Sequence, residues 1–200
     1  MPLRLRLPES FLRALAGAAL LVILLWSLKA WDLTIDFFVA GRRSVLTNLL
    51  GIHPRSLAGL PGVLFAHFIH RDFAHLAANT PALFVLSFLV LLSGIRRFAC
   101  ITLIVILVSG TVIWLTERAT TVGSSTLVFG YLGFVLARGF VEQRIAWIAI
   151  AVGLLVVYGL APSGLLPGRK DVSWIAHGAG LASGILAARS FREPPPRSIP

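Results

Sequence analysis

Six long apolar runs constrain this chain more than any other feature of its sequence. Each run is close to the ~20 residues that a helix needs to cross the hydrocarbon core of a bilayer. Hydrophobic residues make up 57% of the 200 residues and charged residues only 13%, unlike a soluble domain. The sequence predicts an all-α membrane protein, a bundle of six transmembrane helices over residues 11–190. The six runs are 11–31, 76–93, 98–115, 125–141, 145–161 and 173–190.

The two ends of the chain flank this predicted membrane domain. Residues 1–10 form a basic N-terminal segment, and residues 191–200 form a proline-rich tail that we expect to be disordered. A signal peptide is the alternative interpretation of the first run. That run is long, however, and no small-x-small cleavage site follows it, so we expect a retained helix.

The formal net charge of +10 raises the question of a nucleic-acid partner. The basic residues lie at the ends of apolar runs rather than along one face, so membrane topology explains them better. Short loops weigh most in orientation, and they place Arg96, Arg97, Arg138 and Arg144 in the cytoplasm. We therefore expect a multi-pass protein of the cell inner (plasma) membrane, with both termini cytoplasmic and no nucleic-acid partner.

With this orientation, the second, fourth and sixth runs all enter the bilayer from its outer face. Their first residues include His75 and Asn79, then Ser124 and Ser125, and finally His177. Each group has an ordinary explanation, because hydroxyls cap helices and residues four apart share a helix face. An ionisable group within a span is costly, however, and points to function. The convergence of these groups at one depth predicts a site.

Three segments carry a resemblance to a known family. The stretch "GSSTLVFGYLG" resembles the GxSG-x3-G-x2-G motif of rhomboid intramembrane serine proteases. The stretch "HRDFAHLAANT" resembles their His-x3-Asn segment, and "WIAHGAGLASG" their last-span histidine motif. The resemblance covers most of residues 62–188, with all three motifs in the same order and spacing. It implies a rhomboid-like bundle with protease activity.

The resemblance implies a role for each matched residue. Ser125 corresponds to the nucleophile and His177 to its general base, while His75 and Asn79 correspond to side chains of the oxyanion hole. This agrees with chemistry, because a serine hydroxyl needs an adjacent base and imidazole titrates near neutrality. The family further implies membrane-protein substrates with small or helix-weakening residues at the cleavage site. A catalytically silent relative that binds transmembrane clients is the alternative.

Support for the dyad is expected from Phe129 and from small residues. Phe129 lies one turn after Ser125, where rhomboids usually carry an aromatic ring against the histidine, although core packing explains it equally well. Gly180 lies on the His177 side of the sixth run. Glycines there and in the fourth run would let the two backbones approach closely. They are Gly130, Gly133, Gly180 and Gly184.

Two further features concern the predicted nucleophile and base, and the first departs from the family pattern. Thr126 replaces the glycine that usually follows the nucleophile, which adds bulk beside the catalytic backbone. No carboxylate is placed to orient His177, because Asp171 lies six residues earlier, on another helix face. The sequence therefore predicts a Ser–His dyad rather than a triad.

A metal site is the alternative use of the histidine-rich stretch "HFIHRDFAH". It offers His67, His70 and His75, but membrane zinc proteases use HExxH, which this sequence lacks. We therefore expect neither a metal nor a cofactor. His70 matches another histidine frequent in the family and is expected to brace the loop.

Overall fold

The computed structural model describes residues 7–39, 44–143, 145–157, 165 and 173–191. Within these ranges the chain is helical, with an isolated antiparallel bridge between Ile52 and Thr121. Short 3-10 turns, Leu57–Gly59 and Ala66–Phe68, flank the third helix. The eight α-helices of the described residues are α1 Glu9–Phe38, α2 Val45–Leu50, α3 Leu60–Phe65, α4 Phe73–Leu91, α5 Ile95–Thr116, α6 Ser125–Val141, α7 Ile145–Val157 and α8 Trp174–Ser190.

Every predicted apolar run coincides with a helix, and for α6 both ends agree with the prediction. Helices α1, α4 and α5 are long and apolar enough to cross a membrane, while α6 and α7 are shorter apolar helices. The chain is therefore an all-helical, multi-pass membrane protein. The predictions for residues 1–6, for residues 158–161 of the fifth run, for the tail after residue 191 and for Arg144 and Asp171 lie outside the described residues.

Helix α1 continues beyond its predicted end because its polar residues are paired. Lys29 and Asp32 form a buried ion pair with a 2.8 Å N–O distance, and the Lys29 ammonium also donates to the Arg71 carbonyl. Asp36 accepts from the backbone N–H groups of Ser44 and Val45, which fixes the start of α2. The stretch from residue 32 to 73, expected as a loop, thus contains the end of α1 and the short helices α2 and α3.

Helix α6 is the centre of the bundle. It contacts α4, α5, α7 and α8, and its residues from Thr126 to Val135 are all buried. A helix that is apolar all round lies in a protein core or in lipid, and here the neighbouring helices cover these residues. The polar start of α6 is therefore held at the meeting point of several helices.

Small residues allow α6 and α8 to lie in backbone contact. A Cβ added at Gly184 would lie 1.8 Å from the Gly130 carbonyl oxygen, and one at Gly133 would lie 2.3 Å from the Leu181 carbonyl oxygen. A Cβ at Gly180 would lie 2.4 Å from the Thr126 carbonyl oxygen. No side chain fits in these places, so the expected close approach of the two helices is present.

Arg138 is not the loop charge that the sequence indicated. It lies within α6, 8% exposed, and its Nε donates to Glu142 Oε1 at 2.8 Å. Its Nη1 donates to the Ser93 hydroxyl in the α4–α5 turn, and its guanidinium lies 4.8 Å from the Trp147 ring centroid. Arg138 therefore connects α6 to the α4–α5 turn and to α7, at the end of α6 opposite to Ser125.

Candidate active site

The N-terminal ends of α4, α6 and α8 meet at one end of the bundle. Asp72 caps α4 by accepting from the His75 backbone N–H at 2.7 Å. Ser173 caps α8 by accepting from the Ala176 N–H at 2.9 Å, which places His177 in the first turn of that helix. The capping residues therefore bring the side chains predicted from the sequence to the same end of the fold.

A cavity of about 270 Å³ lies between these helix ends. It contains Ser125, half-buried at the first position of α6, together with His75 and His177. The cavity is thus bounded by a hydroxyl and two imidazoles from three different helices. Its other lining residues are Arg71, Glu117, Ala119, Thr120, Thr121, Val122, Ser173 and Ala176.

The Phe129 ring stacks on the His177 imidazole. The ring centroids are 4.2 Å apart and the planes are inclined by 18°. Phe129 is 2% exposed and His177 is 8% exposed, so the contact is almost dry. A flat apolar face at this distance restricts the rotation of the imidazole, and Phe129 serves in core packing at the same time.

Ser124 bonds to His70, whereas Ser125 lines the cavity. The Ser124 backbone N–H donates to His70 Nε2 at 3.2 Å, and the Ser124 hydroxyl lies 2.9 Å from the same nitrogen. Because the amide can only donate, Nε2 is the acceptor and the hydroxyl donates to it as well. Ser124 is fully buried and does not line the cavity, so Ser125 is the hydroxyl that faces open space.

His70 supports this turn in its neutral form. It lies in the connection between α3 and α4 and is 1% exposed. Burial, with a smaller contribution from the neighbouring His75, lowers the pKa of His70 to about 4. Neutral imidazole has the free lone pair that the Ser124 amide requires. The geometry is that of the loop brace expected from the sequence.

Gly123 allows His75 to approach the turn. Its φ is +126°, a conformation that side chains disfavour. A Cβ there would lie 2.7 Å from His75 Cε1 and 3.0 Å from His75 Nε2. The His75 imidazole is therefore packed directly on the backbone that precedes Ser125.

Asn79 lies one turn beyond His75 on α4 and is half-buried. Its side-chain amide donates to the His75 carbonyl at 3.1 Å, so the bond joins the side chain to the backbone. Asn79 does not line the cavity, whereas His75 does. The structure thus brings three of the four matched residues into one space, with Asn79 adjacent.

The histidines of the histidine-rich stretch make contacts with other parts of the protein rather than with one another as a cluster of three. His67 is buried in the 3-10 turn before α4, His70 bonds to Ser124, and the rings of His70 and His75 meet edge to face with centroids 5.4 Å apart. In the described part of the chain, no group of three or more histidine, cysteine or acidic residues is placed to hold a metal ion.

The cavity wall formed by residues 119–122 is held by a loop distant in sequence. Ile52 and Thr121 exchange two backbone hydrogen bonds of 3.1 Å. His53 Nε2 bonds to the Asn48 carbonyl at 2.8 Å, and its Nδ1 lies 2.9 Å from the Thr120 hydroxyl. Because Nε2 must donate to the carbonyl, Nδ1 accepts from Thr120.

Sequence reasoning missed several polar residues of the cavity. Glu117 and Ser173 line it together, although they are separated by the whole of α6 and α7. Arg71 lines it from the residue before the α4 cap. Two features of the sequence pointed to this region, namely the polar stretch before Ser124 and the serine at the start of the last run. Neither feature indicated that Glu117 and Ser173 would be in contact.

Comparison with known proteins shows what the chain resembles. The family model described as "Rhomboid domain" matches residues 58–193. Uncharacterized proteins of Mycobacterium tuberculosis and Mycobacterium bovis are each 36% identical over 154 residues, 72% of this chain and 64% of theirs. One of Mycobacterium leprae is 36% identical over 143 residues, 66% of this chain and 57% of its own. The chain therefore spans less than two thirds of the length of these relatives.

Proposed function

The chain belongs to the rhomboid family, and we propose that it is an intramembrane serine endopeptidase that cleaves other membrane proteins. The observation that carries the proposal is the shared cavity of Ser125 and His177, with the Phe129 ring stacked on the imidazole. Ser125 is half-buried and opens on the cavity, so packing alone does not account for its hydroxyl.

Ser125 is the proposed nucleophile and His177 its general base. The imidazole takes the proton of the Ser125 hydroxyl as the oxygen attacks the scissile carbonyl carbon. It then returns the proton to the leaving amine, so that an acyl-enzyme remains on Ser125. Water, activated by the same imidazole, hydrolyses this ester and restores the free hydroxyl.

Charge on the carbonyl oxygen needs hydrogen-bond donors aimed at it. The His75 side chain lines the cavity beside Gly123, and the first amides of α6 point out of the start of that helix. The Asn79 amide has a second N–H besides the one bonded to the His75 carbonyl. We assign these groups to the oxyanion hole, where one donor is typically worth about 10²–10³ in rate.

The proposed topology has six spans, with both termini in the cytoplasm of a cell with an inner (plasma) membrane. Helices α4, α6 and α8 then enter from the outer face. The 17 residues of α6 give about 25 Å, less than the ~30 Å hydrocarbon core, so Ser125 lies below the membrane surface. The cavity admits water to it. The proposed substrates carry small or helix-weakening residues at the cut, because such segments unwind easily.

The proposal is tested with purified protein and a fluorescent transmembrane substrate. We expect cleavage by the natural sequence, loss of cleavage in Ser125→Ala and in His177→Ala, and no further loss in the double variant, because catalytic partners act as a unit. Ser124→Ala is the matched control and should keep turnover. Cleavage that persists in purified Ser125→Ala would contradict the assignment of Ser125 as the nucleophile. A natural sequence without turnover would favour the silent, client-binding alternative.

A further inference from the structure

A hydrogen bond beside the cavity connects the end of α5 to the start of α8. Glu117 directly follows α5, and Ser173 directly precedes α8. The Ser173 hydroxyl donates to Glu117 Oε1, and the same hydroxyl oxygen accepts from the Ala176 N–H. Both residues are half-buried and line the cavity that contains Ser125 and His177. The contact therefore connects the cavity wall to the helix of the proposed base.

The Ser173 end of this contact is tied to the position of His177. The His177 N–H donates to the Ser173 carbonyl at 3.1 Å, so residues 173 and 177 share the first turn of α8. A shift of Ser173 is consequently transmitted to the imidazole through the helix backbone.

The Glu117 end is anchored on a well-packed helix. The Glu117 N–H donates to the Ile113 carbonyl at 2.9 Å, and Ile113 is fully buried. Gly110, one turn earlier, lies so close to α3 that a Cβ there would be 2.7 Å from the Val63 carbonyl oxygen. A hydrogen bond to a carboxylate is also about twice as strong as one between neutral groups. Helix α5 can thus hold α8 in place.

We propose that Glu117 is a positioning residue, which fixes the start of α8 through Ser173 and so sets His177 against Ser125. The inference rests on the proposed protease function. In the described part of the cavity lining, Glu117 is the carboxylate. It bonds to the residue that caps α8, so its effect on His177 passes through the backbone of that helix.

Steady-state kinetics with paired variants tests this role. Glu117→Ala should lower kcat by about 10- to 100-fold with KM little changed, because a small misplacement of a catalytic group is costly in rate. Glu117→Gln should restore most of kcat, since its amide oxygen can still accept from Ser173. In a Ser173→Ala background, Glu117→Ala should have no further effect, because the shared bond is already absent. Ser190→Ala, at the other end of α8, is the matched control.

Two kinetic results would overturn the proposal. One is a kcat for Glu117→Ala equal to that of the natural sequence. The other is an equal loss from Glu117→Ala in both backgrounds, which would mean that the two residues act independently.

Amide hydrogen exchange tests the inference separately from proteolysis. The amides of Ala176, His177 and Gly178 should exchange at least several-fold faster in Glu117→Ala than in the natural sequence, and at an unchanged rate in Ser190→Ala. If the natural sequence shows no turnover, the proposed function fails, and this measurement alone decides the positioning role. Unchanged exchange in Glu117→Ala would overturn it even in an active enzyme.

Discussion

Phe129 and His177 lie face to face, with ring centroids 4.2 Å apart and planes inclined by 18°. The two residues come from α6 and α8, whose backbones touch through glycines and leave no room for movement between them. Phe129 is one turn beyond Ser125 on the same helix. The stacking therefore fixes the orientation of the His177 ring, the proposed base, relative to α6, which carries the proposed nucleophile.

Phe129→Leu should lower kcat several-fold, because leucine fills much of the volume but offers no flat face to the imidazole. An aromatic pair contributes roughly 0.5–1.5 kcal/mol beyond its buried area, which corresponds to about a 2- to 10-fold effect. Phe134→Leu is the control, since Phe134 is equally buried on α6. Cleavage assays and thermal unfolding should show similar destabilisation in both variants but a kcat loss only in Phe129→Leu. Equal kcat values in the two variants would contradict a role for the stacking.

Gly123→Ala should destabilise the protein and displace His75. The residue would adopt a strained φ of +126°, and its Cβ would meet the His75 ring at 2.7 Å. Backbone strain of this kind costs on the order of 1–3 kcal/mol. Gly178→Ala is the matched control, because a Cβ there has nothing within 4 Å. We expect a lower Tm and a large loss of turnover in Gly123→Ala only, and equal behaviour of the two variants would refute the close approach of His75.

His70 should make stability depend on pH below neutrality. Burial lowers the pKa of His70 to about 4 in the folded protein, from an ordinary value of 6.5. Between these values the unfolded chain binds a proton that the folded chain does not, so stability falls as the pH falls. The loss is fully developed below about pH 4 and reaches on the order of 3 kcal/mol. Above the ordinary value this histidine contributes no pH dependence.

His70→Gln isolates this contribution, because its amide oxygen can still accept from the Ser124 N–H. Thermal unfolding at about pH 7 and about pH 5 should show a smaller change of Tm in His70→Gln than in the natural sequence. The same pH dependence in both would show that protonation of His70 does not oppose folding.

The sequence predicted the elements of the site better than the contacts between them. The bounds of α6 were predictable because glycine and serine precede a largely apolar run, which is followed by Glu142 and Gln143. The end of α1 was not, since the acidic Asp32 ends the apolar run in the sequence, and its pairing with Lys29 in a buried place depends on the fold. For the same reason the short helices α2 and α3, which depend on contacts such as Asp36 with Val45, were not foreseen.

Long-range partners explain most of what the sequence left open. Phe129 was assigned two equal alternatives, and the structure shows both at once, since the ring is buried and stacked on His177. Glu117 lies between two predicted runs, and nothing in its neighbours in the sequence indicates a contact with Ser173. Motif spacing identifies which residues belong to a site, whereas the pairing of loops requires the packed fold.

Thr126 is the main departure from the family pattern, and its environment predicts the effect of restoring glycine. The side chain is 2% exposed, lies among Ile52, Ala66, His67 and Ile113, and does not line the cavity of Ser125. Thr126→Gly should therefore leave a void and lower Tm. Glycine in a helix costs roughly 0.5–1 kcal/mol, and the lost side-chain burial adds about 0.8 kcal/mol for each carbon. Because the side chain points away from the cavity, kcat should stay equal or fall. Thr126→Ala separates the loss of side-chain burial from the helix cost of glycine, since it removes the hydroxyl and a methyl but keeps the helix propensity.

A several-fold rise of kcat in Thr126→Gly would show instead that threonine crowds the oxyanion hole. That result would favour the silent, client-binding alternative for the natural sequence.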